Sequence, residues 1–196
     1  MVKNRIKRIF ALVGAGLAPV AAIFYIILGI KSAIAISDIF GAKEIIFLLL
    51  NFLLCFGLAF FLTTFGAKAL FGYLNKKDNT EPFAYLVLSF AVFQFIDNLI
   101  ILCFYGGTAA IWLILIFSLF SAVTLILRLT GIKVARRTVV LGVVGGMITA
   151  MTVACAETGL ALVAAIILSV ICFVIGAIYS LDLIKDEDEK EEKTEE

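Results

Sequence analysis

The sequence predicts an all-α polytopic membrane bundle of six spans with short loops, and three observations carry that expectation. Hydrophobic residues make up 63% of the 196 residues and charged residues 16%, against an apolar share of roughly 45–50% in soluble domains. The apolar residues fall in six runs of about 20, the number that crosses a hydrocarbon core of ~30 Å at ~1.5 Å per helical residue. The basic residues are divided between the two sides: 14 of the 16 lie on the side of the termini, and only Lys31 and Lys43 lie on the other. Basic flanks stay cytoplasmic, so both termini are expected there, in a cell (plasma) membrane by default, with an even number of spans.

The first span is expected over residues 9–30, behind Lys3, Arg5, Lys7 and Arg8. Its apolar run exceeds the ~7–15 residues of a signal-peptide core, so it reads as an uncleaved span despite Ala33-Ile34-Ala35. Pro19 frees a backbone carbonyl near its middle and is expected to kink it. The segment 31–44 carries Ile34, Ile36, Ile39 and Phe40 and suits an interfacial position. The second span is placed over 45–66. The third is placed over 83–104, opened by the helix-start signal Asn79-Thr80-Glu81-Pro82. Tyr105-Gly106-Gly107-Thr108 then forces a tight reversal into the fourth span, 109–127, which makes the two helices antiparallel neighbours. The fifth and sixth spans, 138–155 and 160–179, complete a transmembrane domain of residues 1–181. Trp112, Tyr105, Tyr73, Tyr85 and Tyr179 lie near span ends, where aromatic anchors belong. Residues 182–196 hold nine acidic and three basic side chains, leaving residues 1–181 at +7, and such a segment is expected to form a disordered tail.

Small residues mark helix contacts. Gly142, Gly146, Ala150 and Ala154 recur every four positions in the fifth span, and Ala161, Ala165 and Ser169 answer in the sixth, which predicts that these two helices pack on each other. The first span has Gly14, Ala18 and Ala22, and also Ala11-x-x-x-Ala15; these serve either internal contacts or an outside protein partner. Spans two and four end alike, in Gly66-Ala67-Lys68 and Gly131-Ile132-Lys133, a faint sign of a repeated hairpin.

Several function classes drop out. The chain has no histidine, which removes the usual general base and the commonest metal ligand. No metalloprotease, nucleophile-elbow, Walker or dinucleotide motif is present, so neither cofactor nor metal is expected and an enzyme is not the reading. Cys55, Cys103, Cys155 and Cys172 lack metal or redox spacing and read as apolar filler, with a Cys103–Cys155 disulfide the alternative. The basic loops are explained by orientation, so nucleic acid is not an expected partner. The bilayer is, and span one or the acidic tail offers a route to a protein partner.

The residues that stand out are Gln94, Asp97 and Asn98, which share one face in the third span at spacing i, i+3, i+4. An ionisable group near the bilayer centre costs at least ~2.5–3.5 kcal/mol, so Asp97 is expected to face the bundle interior or a watery cavity. Counting from span centres puts Asn51 at its level and places Tyr25, Thr149 and Thr152 in the same outer half. Without a cation in the membrane, Asp97 reads either as a donor to Asn51 or Asn98 or as a carboxylate for a proton, metal ion or cationic solute. Two hypotheses arise: a small-solute or ion transport component binding in an outward-opening cavity, or a non-catalytic structural, assembly or regulatory subunit in which the cluster is interhelical glue. In size, span count, termini and Ala11-x-x-x-Ala15 the chain loosely resembles the substrate-capture subunits of energy-coupling-factor vitamin transporters, which implies in-membrane ligand binding powered by a partner.

Overall fold

The computed structural model describes residues 2–36, 41–75, 81–132 and 135–192, with residues 2–5, 136 and 182–192 as backbone alone. Six α-helices run in order: α1 Val2–Ala35, α2 Ala42–Leu74, α3 Glu81–Tyr105, α4 Ala109–Leu129, α5 Arg136–Ala156 and α6 Gly159–Glu192. Each contains a stretch long and apolar enough to cross a membrane, and no strand occurs among the described residues. The chain is a polytopic integral membrane protein in which every spanning backbone satisfies its own hydrogen bonds, as hydrocarbon demands.

Helices α3, α4 and α5 match the expected spans to within about two residues, but α1, α2 and α6 are longer. At 34 and 33 residues, α1 and α2 extend about 50 Å, beyond a core of ~30 Å. A span already supplies the helical nucleus, so flanking residues add at little cost. The same reasoning applies to α6, whose backbone is helical to Glu192, where the charge run predicts a disordered tail; Glu, Lys and Leu are good helix formers once nucleated. Residues 193–196 lie outside the described residues, as do 37–40 of the interfacial segment and Asn79 and Thr80 of the helix-start signal. Pro19 sits within α1 without interrupting it.

The helices form a closed ring. Each packs on its neighbour in sequence, α1 on α6 shuts the circuit, and α3 also reaches α5 and α6 across the middle. Alternation puts the termini and the α2–α3 and α4–α5 loops at one end, here the terminal end, and the other three loops at the far end. At the far end the α3–α4 reversal uses Gly106 at φ +88°, and Thr108 caps α4 by accepting from the Ile111 amide (3.4 Å).

Small residues close the ring. Ala11, Ala15, Ala18, Ala21 and Ala22 of α1 are all at most 2% exposed, so the stripe serves internal contacts and presents no face to an outside partner. A methyl at Gly66 of α2 would stand 2.8 Å from the Ala18 methyl, and one at Gly14 would stand 3.2 Å from Val174 of α6. Gly66 is therefore a buried crossing point, with α2 continuing to Leu74, whereas Gly131 lies beyond the end of α4 at φ +80°. The two similar sequences therefore do different jobs.

On α5 Gly142 faces α4, while Gly146 sits where α3, α4 and α6 meet. A methyl at Gly142 would collide with Thr124, and one at Gly146 would stand 2.9 Å from Val87 of α3, 3.3 Å from Ser121 of α4 and 3.7 Å from the Cys172 sulfur of α6. The α4 side chains there, Ser118, Ser121 and Thr124, are buried, and Ser118 and Thr124 donate to carbonyls of their own helix. The expected α5–α6 packing is present, and the same smooth face also serves α4 and α3, which the sequence pattern does not reveal because it carries no helix rotation. The α5–α6 pairing runs from Val143 beside Gly176 to the far end, where Ala154 packs against a cluster containing Ala165; Ala150 is fully buried. Among the aromatic residues, Tyr105 and Trp112 are exposed as interfacial anchors, whereas Tyr73 is 6% exposed and packs edge-on to Phe83, 5.6 Å between centroids. Cys55 and Cys172 are buried, and Cys103 and Cys155 are exposed; all four are free thiols.

The α1–α2 crossing gives a matched test. Gly66→Ala should lower thermal stability by about 1–3 kcal/mol through overpacking, whereas Gly16→Ala, whose new methyl meets nothing within 4 Å, should be neutral or stabilising by up to ~1 kcal/mol from helix propensity. Thermal unfolding in detergent checks both, and equal effects would contradict the close crossing.

Candidate functional site

A cavity of about 580 Å³ opens at the far end of the ring, and all six helices contribute to its wall. Its mouth is formed by Lys31 and Ala35 at the end of α1, Thr108 before α4, Ala156 and Glu157 at the end of α5, and Ala161 near the start of α6. Asp97 lies eight residues before the end of α3, about 12 Å inside at ~1.5 Å per residue. The walls between are largely apolar, with Leu28, Leu48, Phe93, Ile101, Ile111 and Ile114.

The polar floor is built from three helices. On α3, Gln94 and Asn98 are buried and Asp97 is half-buried, as expected from the i, i+3, i+4 spacing and the cost of exposing any of them to lipid. Ile96 and Leu99 point outward instead. The Asn98 amide donates to the Gln94 backbone carbonyl (2.9 Å) and to Gln94 Oε1 (3.1 Å), and Gln94 is a hydrogen-bond partner of the Tyr25 side chain of α1. The Tyr25 ring meets Phe93 edge-on at 5.3 Å.

Asn51 of α2 is the hub. Its Nδ2 donates to Asp97 Oδ1 (3.4 Å), while its Oδ1 accepts from the Cys55 thiol (3.4 Å) and the Ser32 hydroxyl of α1 (3.1 Å). The Ser32 hydroxyl has one proton and a second acceptor within reach, the Leu28 carbonyl at 3.2 Å. Asn51 is the one hydrogen-bond partner of Asp97 among the described residues, so its carboxyl keeps acceptor capacity directed into the cavity.

Five of the seven candidate binding residues thus converge: Asp97, Gln94, Asn98, Asn51 and Tyr25 all line the cavity. Thr149 and Thr152 do not. Their hydroxyls donate back to Gly145 O (3.0 Å) and Ile148 O (2.8 Å) one turn earlier, the usual way a helical threonine satisfies itself. Their depth along α5 is as expected, but helix rotation takes them out of the cavity. Conversely, Lys31, Ser32, Cys55, Thr108 and Glu157 line it although the sequence pattern does not single them out for binding. Lys31 and Glu157 carry a signal: both belong to far-end span termini, where the cavity opens. Glu157 faces the same cavity and is near enough to act on Asp97 electrostatically. No three His, Cys, Asp or Glu side chains converge as a metal set among the described residues.

No family model, curated protein or solved structure matches the chain.

The hub geometry makes a ranking. Asn51→Ala removes the donor to Asp97 and the acceptor for two groups, and should cost about 1–2 kcal/mol. Ser32→Ala removes one weakly committed hydroxyl and should cost less, about 0.5 kcal/mol or below. Thermal unfolding of the two variants checks the order, and a reversed order would show that Asn51 is not the hub.

Proposed function

We propose that the chain is a small-solute or ion transport component that binds a cationic ligand at Asp97 in the far-end cavity. The observation that carries this reading is a half-buried carboxyl with a single amide partner, facing open volume lined by Asn51, Gln94 and Asn98. At the mouth Lys31 and Glu157 offset each other in charge, which leaves Asp97 as the uncompensated charge in the cavity. The 14-to-2 division of basic residues supports an orientation with both termini cytoplasmic, so the cavity faces outward, in a cell membrane. The chain has no nucleotide-binding motif, and transport would draw on a partner or an ion gradient. We read the site as binding rather than catalytic: it offers no histidine, and the thiol of Cys55 is directed at the Asn51 carbonyl.

A second reading has its own support. Ser32, Asn51 and Asp97 connect α1, α2 and α3 through side-chain hydrogen bonds, which is what interhelical glue in a structural, assembly or regulatory subunit would do. The two readings separate on Asp97→Asn, since an amide still hydrogen-bonds but supplies no charge. Under the binding reading, thermal stability of the purified wild type rises with a particular inorganic cation or small amine across pH 5 to 9, and Asp97→Asn loses that response while keeping its ligand-free stability. No shift with any cation, in a well-folded wild type, moves the assignment to the structural reading.

A further inference from the structure

A second concavity lies on the outside of the ring, between α2 and α3, with a volume of about 400 Å³. Its lining is almost wholly apolar, including Leu53, Gly57, Phe61 and Phe65 of α2 and Tyr85 and Ile96 of α3. Leu53, Phe61, Tyr85 and Ile96 are exposed on the bundle surface, so within a bilayer this groove opens to lipid. It forms where packing is thinnest, because α2 and α3 make the least extensive contact of any adjacent pair in the ring. Bulky rings rather than small residues meet there, as in the stacked Phe65–Tyr85 pair with centroids 4.8 Å apart.

One residue belongs to both concavities. Phe93 lines the polar cavity beside Tyr25 and also lines the lipid-facing groove, and no other described residue does so. Its ring is the partition between Asp97 and the membrane. From the level of Asp97 the groove runs along α3 to Tyr85, twelve residues away, about 18 Å at ~1.5 Å per residue. That length suits a long hydrocarbon chain, and the carboxylate at its inner end suits a positive head.

We propose that the ligand of this site is an amine-headed amphiphile that enters from the bilayer between α2 and α3, with its ammonium at Asp97 and its tail in the groove beyond Phe93. The proposal rests on the cation-binding reading of Asp97 and adds the chemistry of the ligand and its route. A polar cation entering from water would need only the far-end mouth and would leave the groove without a part in binding. An amphiphile uses both volumes, and its tail makes little net gain over lipid, so shape rather than hydrophobicity selects it.

Groove-filling variants test this in lipid nanodiscs. Gly57→Leu adds a side chain at a groove-lining position where a methyl would meet nothing within 4 Å; Leu53→Phe fills the groove from an exposed position. Propylamine and dodecylamine are titrated into wild type, both groove variants and Asp97→Asn, with binding read from thermal stabilisation. The expected result is that both amines lose binding in Asp97→Asn, while the groove variants weaken dodecylamine by about tenfold or more and leave propylamine within about twofold. Retained propylamine binding also certifies that those variants are folded. Dodecylamine affinity unchanged in both groove variants overturns the proposal and leaves the cation site standing. Absence of an Asp97-dependent response to either amine in the wild type overturns both.

Discussion

The cost of presenting a carboxyl to hydrocarbon fixes the rotation of α3, and much of the bundle depends on it. Asp97 has to face inward or meet water, so Gln94 and Asn98 on the same face turn with it and Ile96 and Leu99 are left for lipid. Once α3 is set, its neighbours must supply polar groups at the same depth. Asn51 from α2 and Tyr25 from α1 do so, through Asp97 and Gln94 respectively. The inward turn also draws α3 toward the ring centre, where it touches α5 and α6.

Closure of the ring has a different origin. Lipid tails are as apolar as leucine, so helix association relies on close packing rather than on burial from water. Helix α1 achieves this with alanines on both flanks, letting α2 approach through Gly66 and α6 through the contact at Gly14. Glycines on α5 do the same against the hydroxyl-bearing face of α4. Between α2 and α3, where rings such as Phe65 and Tyr85 meet, the helices stand apart and a groove is left. The strong and weak seams of the ring are thus set by side-chain size along each helix.

The spans and the polar cluster were legible in the sequence because hydropathy and the i, i+3, i+4 relation depend only on spacing. Element ends were less so: α1, α2 and α6 run past the membrane because charged residues that stop a hydropathy plot do not stop a nucleated helix. What spacing cannot supply is rotation between helices. Thr149 and Thr152 sit at a suitable depth yet bond to their own backbone, and the Gly142–Gly146 face, expected against α6, also meets α4 and α3. Lys31 was visible as a far-end charge, but only the closed ring shows that it shares one mouth with Glu157.

The volume beside Asp97 weighs between the two readings of the cluster. Interhelical glue is at its best when donors and acceptors are matched and the space around them is filled, since interiors pack densely and voids forfeit contacts. The Asn98–Gln94 bonds and the Asn51 hub meet the first condition. The second is not met, for some 580 Å³ remains open beside them with a carboxylate on its wall. Small changes among the surrounding residues, Ala156 or Ala161 to something larger, would close much of that space without touching the hydrogen bonds. That open volume is what a ligand-admitting chain needs, and interhelical glue by itself gives it no role.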